Sequence, residues 1–255
     1  MGVDVSRLSP SNQDYVKALF NLGEWSEAPV TAKALARKVG VRLSSASDAV
    51  RRLEKMDLVD HTPYGSIALT PQGRKFALAM VRRHRLLECF LAETLNYRWD
   101  QVHAEAERLE HSASDFMIER IDELLGHPAR DPHGDPIPTA EGDYPPREDN
   151  PQLRRLSELE AGESGTVERI SDSDPELLQY FFAHGLVVGA RLRVEQADPY
   201  SEAKHTRIFP PPAETEPESK AEPVTEPVIE RNLSLGDTAA RAVWVRIDLA
   251  AASGA

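Results

Sequence analysis

The 255-residue chain has one cysteine, Cys89, which excludes an internal disulfide and fits a reducing compartment such as the cytoplasm. No apolar run approaches the roughly 20 residues needed to span a bilayer. The N-terminal stretch MGVDVSRLSPSNQ also lacks the charged start and apolar core of a signal peptide. The expectation is a soluble cytoplasmic protein with no membrane partner. Also missing are a nucleophile motif, a phosphate-binding glycine loop and a paired acid/base spacing, so nothing points to an enzyme. The apolar fraction of 40% nevertheless supports folded cores, and the length suits two or three small domains.

Positive charge is scarce overall, with a formal net charge of -12, but it is unevenly spread. Between Thr31 and Arg85 the chain has twelve Lys/Arg against four acids, a local +8 that leaves -20 for the remainder. Attraction to phosphate depends on the local patch, because salt screens charges beyond about 10 Å. The acidic total therefore does not exclude nucleic acid.

Within that window the pattern is helical and then hairpin-like. Residues 11–24 carry Tyr15, Val16, Leu19, Phe20 and Leu22 at helical spacing. Thr31 caps TAKALARKVG, which stops at Gly40, and a four-residue turn leads into VRLSSASDAVRRLEKMDLVD. Ala46, Ala49, Val50, Leu53 and Met56 form the apolar stripe of that segment, fronted by serines. Two helices so joined read as a helix-turn-helix. LVDHTPYGSIALT then reads as a wing, with Tyr64-Gly65 at its tip.

Pro71 opens one long helix to Leu95, and Trp99 starts a second to about Leu125. The face formed by Leu86, Leu87, Phe90, Leu91 and Leu95 is apolar enough to meet a partner chain, and symmetric dimers are the commonest oligomer. The same helices carry His84-Arg-Leu-Leu-Glu88 and His103-Ala-Glu-Ala-Glu107-Arg-Leu-Glu110-His111. Residues three and four apart share a helix face, so Glu107, Glu110 and His111 converge, as do His84 and Glu88. Carboxylates and imidazoles gathered in this way suit a divalent cation that prefers oxygen and nitrogen donors.

After the aperiodic, Pro/Gly-rich stretch 127–151 come short apolar runs with turns and one short helix near Glu176–His184, which suggest a small β-barrel. PPPAETEPESKAEPVTEPV, within about 210–228, reads as a disordered acidic and Pro-rich insertion in it. The expected fold class is mainly α with β. The expected domains are a winged helix-turn-helix at 1–73, a helical dimerisation and metal-binding domain at 74–140, a linker at 141–152 and a C-terminal SH3-like β-barrel at 153–250.

This order of parts, with the segments RRHRLLE (82–88), VHAEAERLEHSASD (102–115) and DPHGDPIP (131–138), resembles the metal-dependent repressors of the diphtheria-toxin-repressor family. The likeness is nearest to the manganese-sensing branch with a C-terminal domain of the FeoA type. The resemblance implies two metal sites in a homodimer. A regulatory site would use Asp14, Glu107, Glu110 and His111. A second would use His84, Glu88 and His103, completed from the C-terminal domain by Asp172, Asp174 or Glu176, among which the sequence does not choose. Iron-sensing members have methionine where this chain has Asp14 and cysteine where it has Glu107. The oxygen donors here favour Mn(II) as cofactor, with Fe(II) the alternative and Co(II) or Zn(II) possible in vitro. Short manganese regulators have Glu where this chain has Lys17, which argues against a close binuclear cluster.

The mechanism so implied is co-repression at a palindromic double-stranded DNA operator. A cation held by Asp14 and the distant helix ties the DNA-binding domain to the dimer body, whereas without it the clustered carboxylates repel. Arg42, Ser44, Ser45, Ser47, Asp48 and Arg51 would meet DNA. Asp48 either accepts from a cytosine amino group or pairs with Arg51 or Arg52. A di-metal helical-bundle enzyme is the alternative of a different class, but it would call for two Glu-x-x-His motifs and matching helix pairs that the chain lacks.

Overall fold

Ser9 accepts a hydrogen bond from Asn12 N and Pro10 takes the first helical position, which together start α1 (Pro10–Glu24). Thr31 caps α2 (Ala32–Val39), and Gly40, at φ 74°, ends it in the left-handed conformation that glycine adopts without steric cost. Three residues, not four, then lead into α3 (Leu43–Lys55). Strands β1 (Val59–His61) and β2 (Ile67–Leu69) pair antiparallel, with Val59 opposite Leu69. In this computed structural model the described residues are 3–26, 28–62, 65–145, 152–197, 200, 203–209 and 230–248. Tyr64 of the expected wing tip, much of the expected linker and the expected insertion at 210–228 lie outside them.

Thr70 caps α4 (Pro71–Cys89), whose first turn runs against the chain leaving α3. A Cβ on Gly73 would stand 1.8 Å from Leu58 O, so only glycine permits that approach. The helix does not continue regularly to Leu95: Phe90–Thr94 form one wider π turn, in which Leu95 N reaches back to Phe90 O at 3.3 Å. The second expected helix is also two, α5 (Val102–Leu109) and α6 (Asp115–Leu124). The break follows from Ser114, which leaves helical geometry and caps α6 by accepting from Met117 N. Glu110 and His111 thus stand just past the end of α5, not along one continuous helix.

α4 packs against α1, α5 and α6, and its central position overturns two expectations. Leu86, Leu87 and Leu91 are fully buried within the same chain, clustered with Val102, Ala106, Ile118 and Ile121. The apolar side chains left exposed include Leu95, Phe116, Met117 and Leu124. Three cations of the basic window also turn inward. Arg82 pairs with Asp122 at 2.8 Å, Arg83 with Asp115, and Arg85 with Glu24 at 2.8 Å, because a helix buried on several sides must pair its charges internally.

The chain divides into two compact units, residues 1–131 with 136–148, and residues 132–135 with 149–255. In the second unit, strands β3 (Leu153–Arg155), β4 (Ser164–Ile170), β5 (Arg191–Val194), β6 (Lys204–Phe209), β7 (Arg231–Leu235) and β8 (Val243–Ile247) form one antiparallel sheet. Their order is β3-β8-β4-β5-β6-β7. Alternation is clear in β5, where Leu192 and Val194 point inward and Arg191 and Arg193 outward. Helix α7 (Pro175–Ala183) contributes Leu178 and Phe181 to this unit's core, and α8 (Asp237–Arg241) precedes β8. Gly134, at φ 91°, also belongs here, where a Cβ would meet Glu168 O at 2.0 Å.

Candidate metal centre

The site is assembled by three elements of the first unit: α1, α4 and the end of α5. Asp14 Oδ1 lies 2.9 Å from His111 Nε2, and Glu110 Oε1 lies 3.7 Å from the same nitrogen. These three residues form a group with donor atoms all within 4.8 Å of one another. Glu110 is buried and Asp14 half-buried. Burial is the first cause that lifts the Asp14 carboxyl above its ordinary range, with His111 and Lys17 opposing it.

Gln13 settles the orientation of His111. Its amide nitrogen donates to Val5 O at 2.9 Å and Leu8 O at 3.0 Å, which leaves its oxygen to face His111 Nδ1 at 2.7 Å. Nδ1 must then carry the proton. Nε2 is therefore the ring nitrogen that faces the two carboxylates, placed to ligate a cation between them. The donor set, two carboxylate oxygens and one imidazole nitrogen, fits a hard divalent metal.

Glu107, the fourth expected ligand, is not in that group. Its Oε1 lies 3.2 Å from Lys17 Nζ and 3.9 Å from His103 Nε2. Lys17, 5% exposed, also reaches Glu110 Oε1 at 2.5 Å. Burial works against the ammonium, yet Glu110 and Glu107 outweigh it and raise its pKa. Burial likewise opposes ionisation of Glu110, but the hydrogen bond from His84 and the charges of His84 and Lys17 hold its pKa below the usual value. Glu107 is held low mainly by Lys17 and His103 against its own desolvation. The expected carboxylate repulsion is thus answered by a buried lysine.

A second cluster adjoins the first. His84 Nε2 lies 3.0 Å from Glu88 Oε1 and 3.0 Å from His103 Nδ1, and His103 Nδ1 lies 3.2 Å from Glu88 Oε1. The other ring nitrogen of His84 meets Glu110 Oε2 at 2.7 Å. Glu110 therefore serves both clusters, one oxygen each. Desolvation disfavours charge on His84, but Glu88 and Glu110 raise its pKa above the ordinary value. Sequence reading did not find Gln13 or the bridging role of Glu110. No spacing rule relates α1 to α5, although a polar residue on the buried side of α1 was a signal for Gln13.

Three family models match the chain. Residues 7–67 match the family model of the iron dependent repressor N-terminal DNA binding domain. Residues 70–139 match its metal binding and dimerisation domain, and residues 154–205 the FeoA domain. Iron-dependent repressor IdeR of Mycobacterium tuberculosis is 31% identical over 199 residues, 75% of this chain and 86% of that protein. The chain belongs to the diphtheria toxin repressor family. Its members are DNA-binding, metal-dependent transcriptional repressors and not enzymes. The diphtheria toxin repressor of Corynebacterium diphtheriae is itself 33% identical over 131 residues, 51% of this chain and 58% of that protein. A solved manganese-dependent transcriptional repressor in complex with manganese is 43% identical, with a TM-score of 0.78, covering 92% of this chain and 99% of that one. The manganese regulator SloR is 30% identical, with a TM-score of 0.68, covering 94% and 99%.

In this family the N-terminal domain binds DNA, and the protein acts as a homodimer. Arg42, which precedes α3, and Ser44, Ser45, Asp48 and Arg51 on it are exposed. Ser47 is half-buried and its hydroxyl donates to Leu43 O at 2.9 Å, so it is spent on its own helix. Asp48 pairs with Arg51 at 3.2 Å. Both are exposed, a pairing that typically contributes under about 1 kcal/mol and yields readily to a phosphate or a base. In the second unit Asp174 caps α7, accepting from Glu176 N and Leu177 N at 3.1 Å, and Glu176 is exposed in the first turn. Among the described residues no helix is long and apolar enough to cross a membrane.

Proposed function

We propose that this repressor senses manganese and represses metal-uptake genes, with Mn(II) as co-repressor at a palindromic operator. The observation that carries the reading is the group Asp14, Glu110 and His111, whose donors are hard oxygens and an imidazole with no sulfur among them. The 43% identity to a protein named as a manganese-dependent repressor supports it. Asp14, Glu110 and His111 form the core of the regulatory site, and Glu107, paired with Lys17 in this structure, becomes its fourth donor only when that pair is released. His84, Glu88 and His103 hold an ancillary cation. Bound at the regulatory site, the cation supplies a cross-link between α1 and the end of α5. Gln13 keeps Nε2 of His111 open for it. Exposed Phe116, Met117 and Leu124 face the partner chain.

The deciding experiment is operator binding titrated separately with Mn(II), anaerobic Fe(II), Co(II) and Zn(II), on a duplex selected from a random library by the Mn(II)-loaded protein. Activation by Mn(II) at lower free concentration than Fe(II) is expected, whereas binding unchanged in excess chelator removes the co-repressor mechanism. The relative named iron-dependent, at 31% identity, favours iron as a second reading. Asp14→Met combined with Glu107→Cys therefore separates the two. The double variant should respond to Fe(II) at lower concentration than to Mn(II), reversing the wild-type order, and an unreversed order would place selectivity elsewhere.

Arg51→Ala should weaken operator binding while leaving metal affinity unchanged, because Arg51 is exposed and its ion pair is with Asp48 on its own helix. If Arg51 contacts a phosphate, the slope of log K against log salt falls by about 0.9. A retained slope with relaxed sequence preference would mean a base contact. No change in any DNA parameter would show that α3 is not the recognition helix.

A further inference from the structure

Lys17 is the buried cation among these ligands, and its position is unlike that of a charge on a solvated helix face. Its side chain is 6% exposed, and its ammonium stands between two residues of the proposed regulatory set, 2.5 Å from Glu110 Oε1 and 3.2 Å from Glu107 Oε1. Glu110 Oε1 is also the oxygen 3.7 Å from His111 Nε2, on the side of the donor group. One oxygen is thus claimed by the ammonium and by the site.

We propose that Lys17 is an internal competitor for the regulatory cation, holding Glu110 and Glu107 in the metal-free protein and setting the free metal concentration at which the repressor loads. This rests on the reading of Asp14, Glu110 and His111 as the regulatory site. The physical reason is charge. An ammonium a few ångströms from a dication in a poorly solvated pocket repels it strongly, and screening by salt is weak there. The same ammonium compensates the buried carboxylates without metal, so α1 stays joined to the end of α5 by an ion pair before any cation arrives. The lysine therefore weakens metal binding and steadies the metal-free protein at once.

The test is calorimetric titration of Mn(II) into the metal-free full-length protein, with thermal melting alongside. Lys17→Leu removes the charge and adds no donor. It should bind Mn(II) at least tenfold more tightly in the transition that His111→Ala removes, about 1.4 kcal/mol. It should also melt at lower temperature without metal and gain more on loading. Lys17→Arg keeps the charge and should stay within threefold of wild type, which keeps the proposal testable if the leucine variant fails to fold. Equal or weaker Mn(II) binding by Lys17→Leu overturns the proposal, and so does a tenfold gain in Lys17→Arg. If His111→Ala leaves every Mn(II) transition intact, the reading of the site itself fails, an outcome distinct from either.

Discussion

Replacing His111 with alanine is expected to remove metal-dependent operator binding at metal concentrations that saturate the wild type. His111 is the single nitrogen donor of its group, held by Gln13 at 2.7 Å and facing Asp14 at 2.9 Å. Losing an outer-shell partner alone typically costs 10–100-fold in metal affinity, and losing a ligand should cost at least that. Excess Mn(II) should restore DNA binding only partly, since Asp14 and Glu110 remain without the nitrogen. The measurement is operator affinity against free Mn(II). A curve that superimposes on the wild type would remove His111 from the regulatory site.

Arg85→Met should produce the largest loss of stability. The guanidinium is 6% exposed and the Glu24 carboxylate 5%, and one Arg85 nitrogen lies 2.8 Å from both Glu24 oxygens. Another Arg85 nitrogen donates to Pro136 O at 2.6 Å, tying α4 to the segment that carries Tyr144. Tyr144 in turn donates to Glu24 and meets the Phe20 ring edge-on at 5.2 Å. Taking away one partner of a buried pair leaves an uncompensated charge and costs about 3–5 kcal/mol. That corresponds to a fall in melting temperature on the order of 10 °C. A change of only a degree or two would mean that Glu24 regains solvent when its partner is lost.

Much of the fold was legible because the local signals were strong and agreed with one another. Thr31 and Gly40 bracket α2 as a cap and a left-handed stop, and Pro71 opens α4. The legible part of the site was the set of chelating residue types at helical spacing. What misled was the assumption that periodicity continues. Apolar residues recur from Trp99 to Leu125, yet Ser114 caps a new helix in the middle, since its hydroxyl offers the backbone a partner that helix continuation does not need. Counting Arg82, Arg83 and Arg85 with the basic patch failed for a related reason. A charge count does not reveal which side of a helix will be covered.

The sequence by itself determined the class of the protein: a helix-turn-helix with its wing, helices bearing His and Glu at chelating spacings, then short alternating strands. Each of these follows from interactions between residues a few positions apart, where side-chain chemistry and backbone geometry suffice. Only the tertiary structure decided that Gln13 orients His111, that Glu110 is shared between two clusters and that Lys17 occupies the carboxylates. The contacts of Gln13 and Lys17 join α1 to positions about ninety residues later. Their geometry comes from how α1 and α5 pack on α4, which no local pattern encodes.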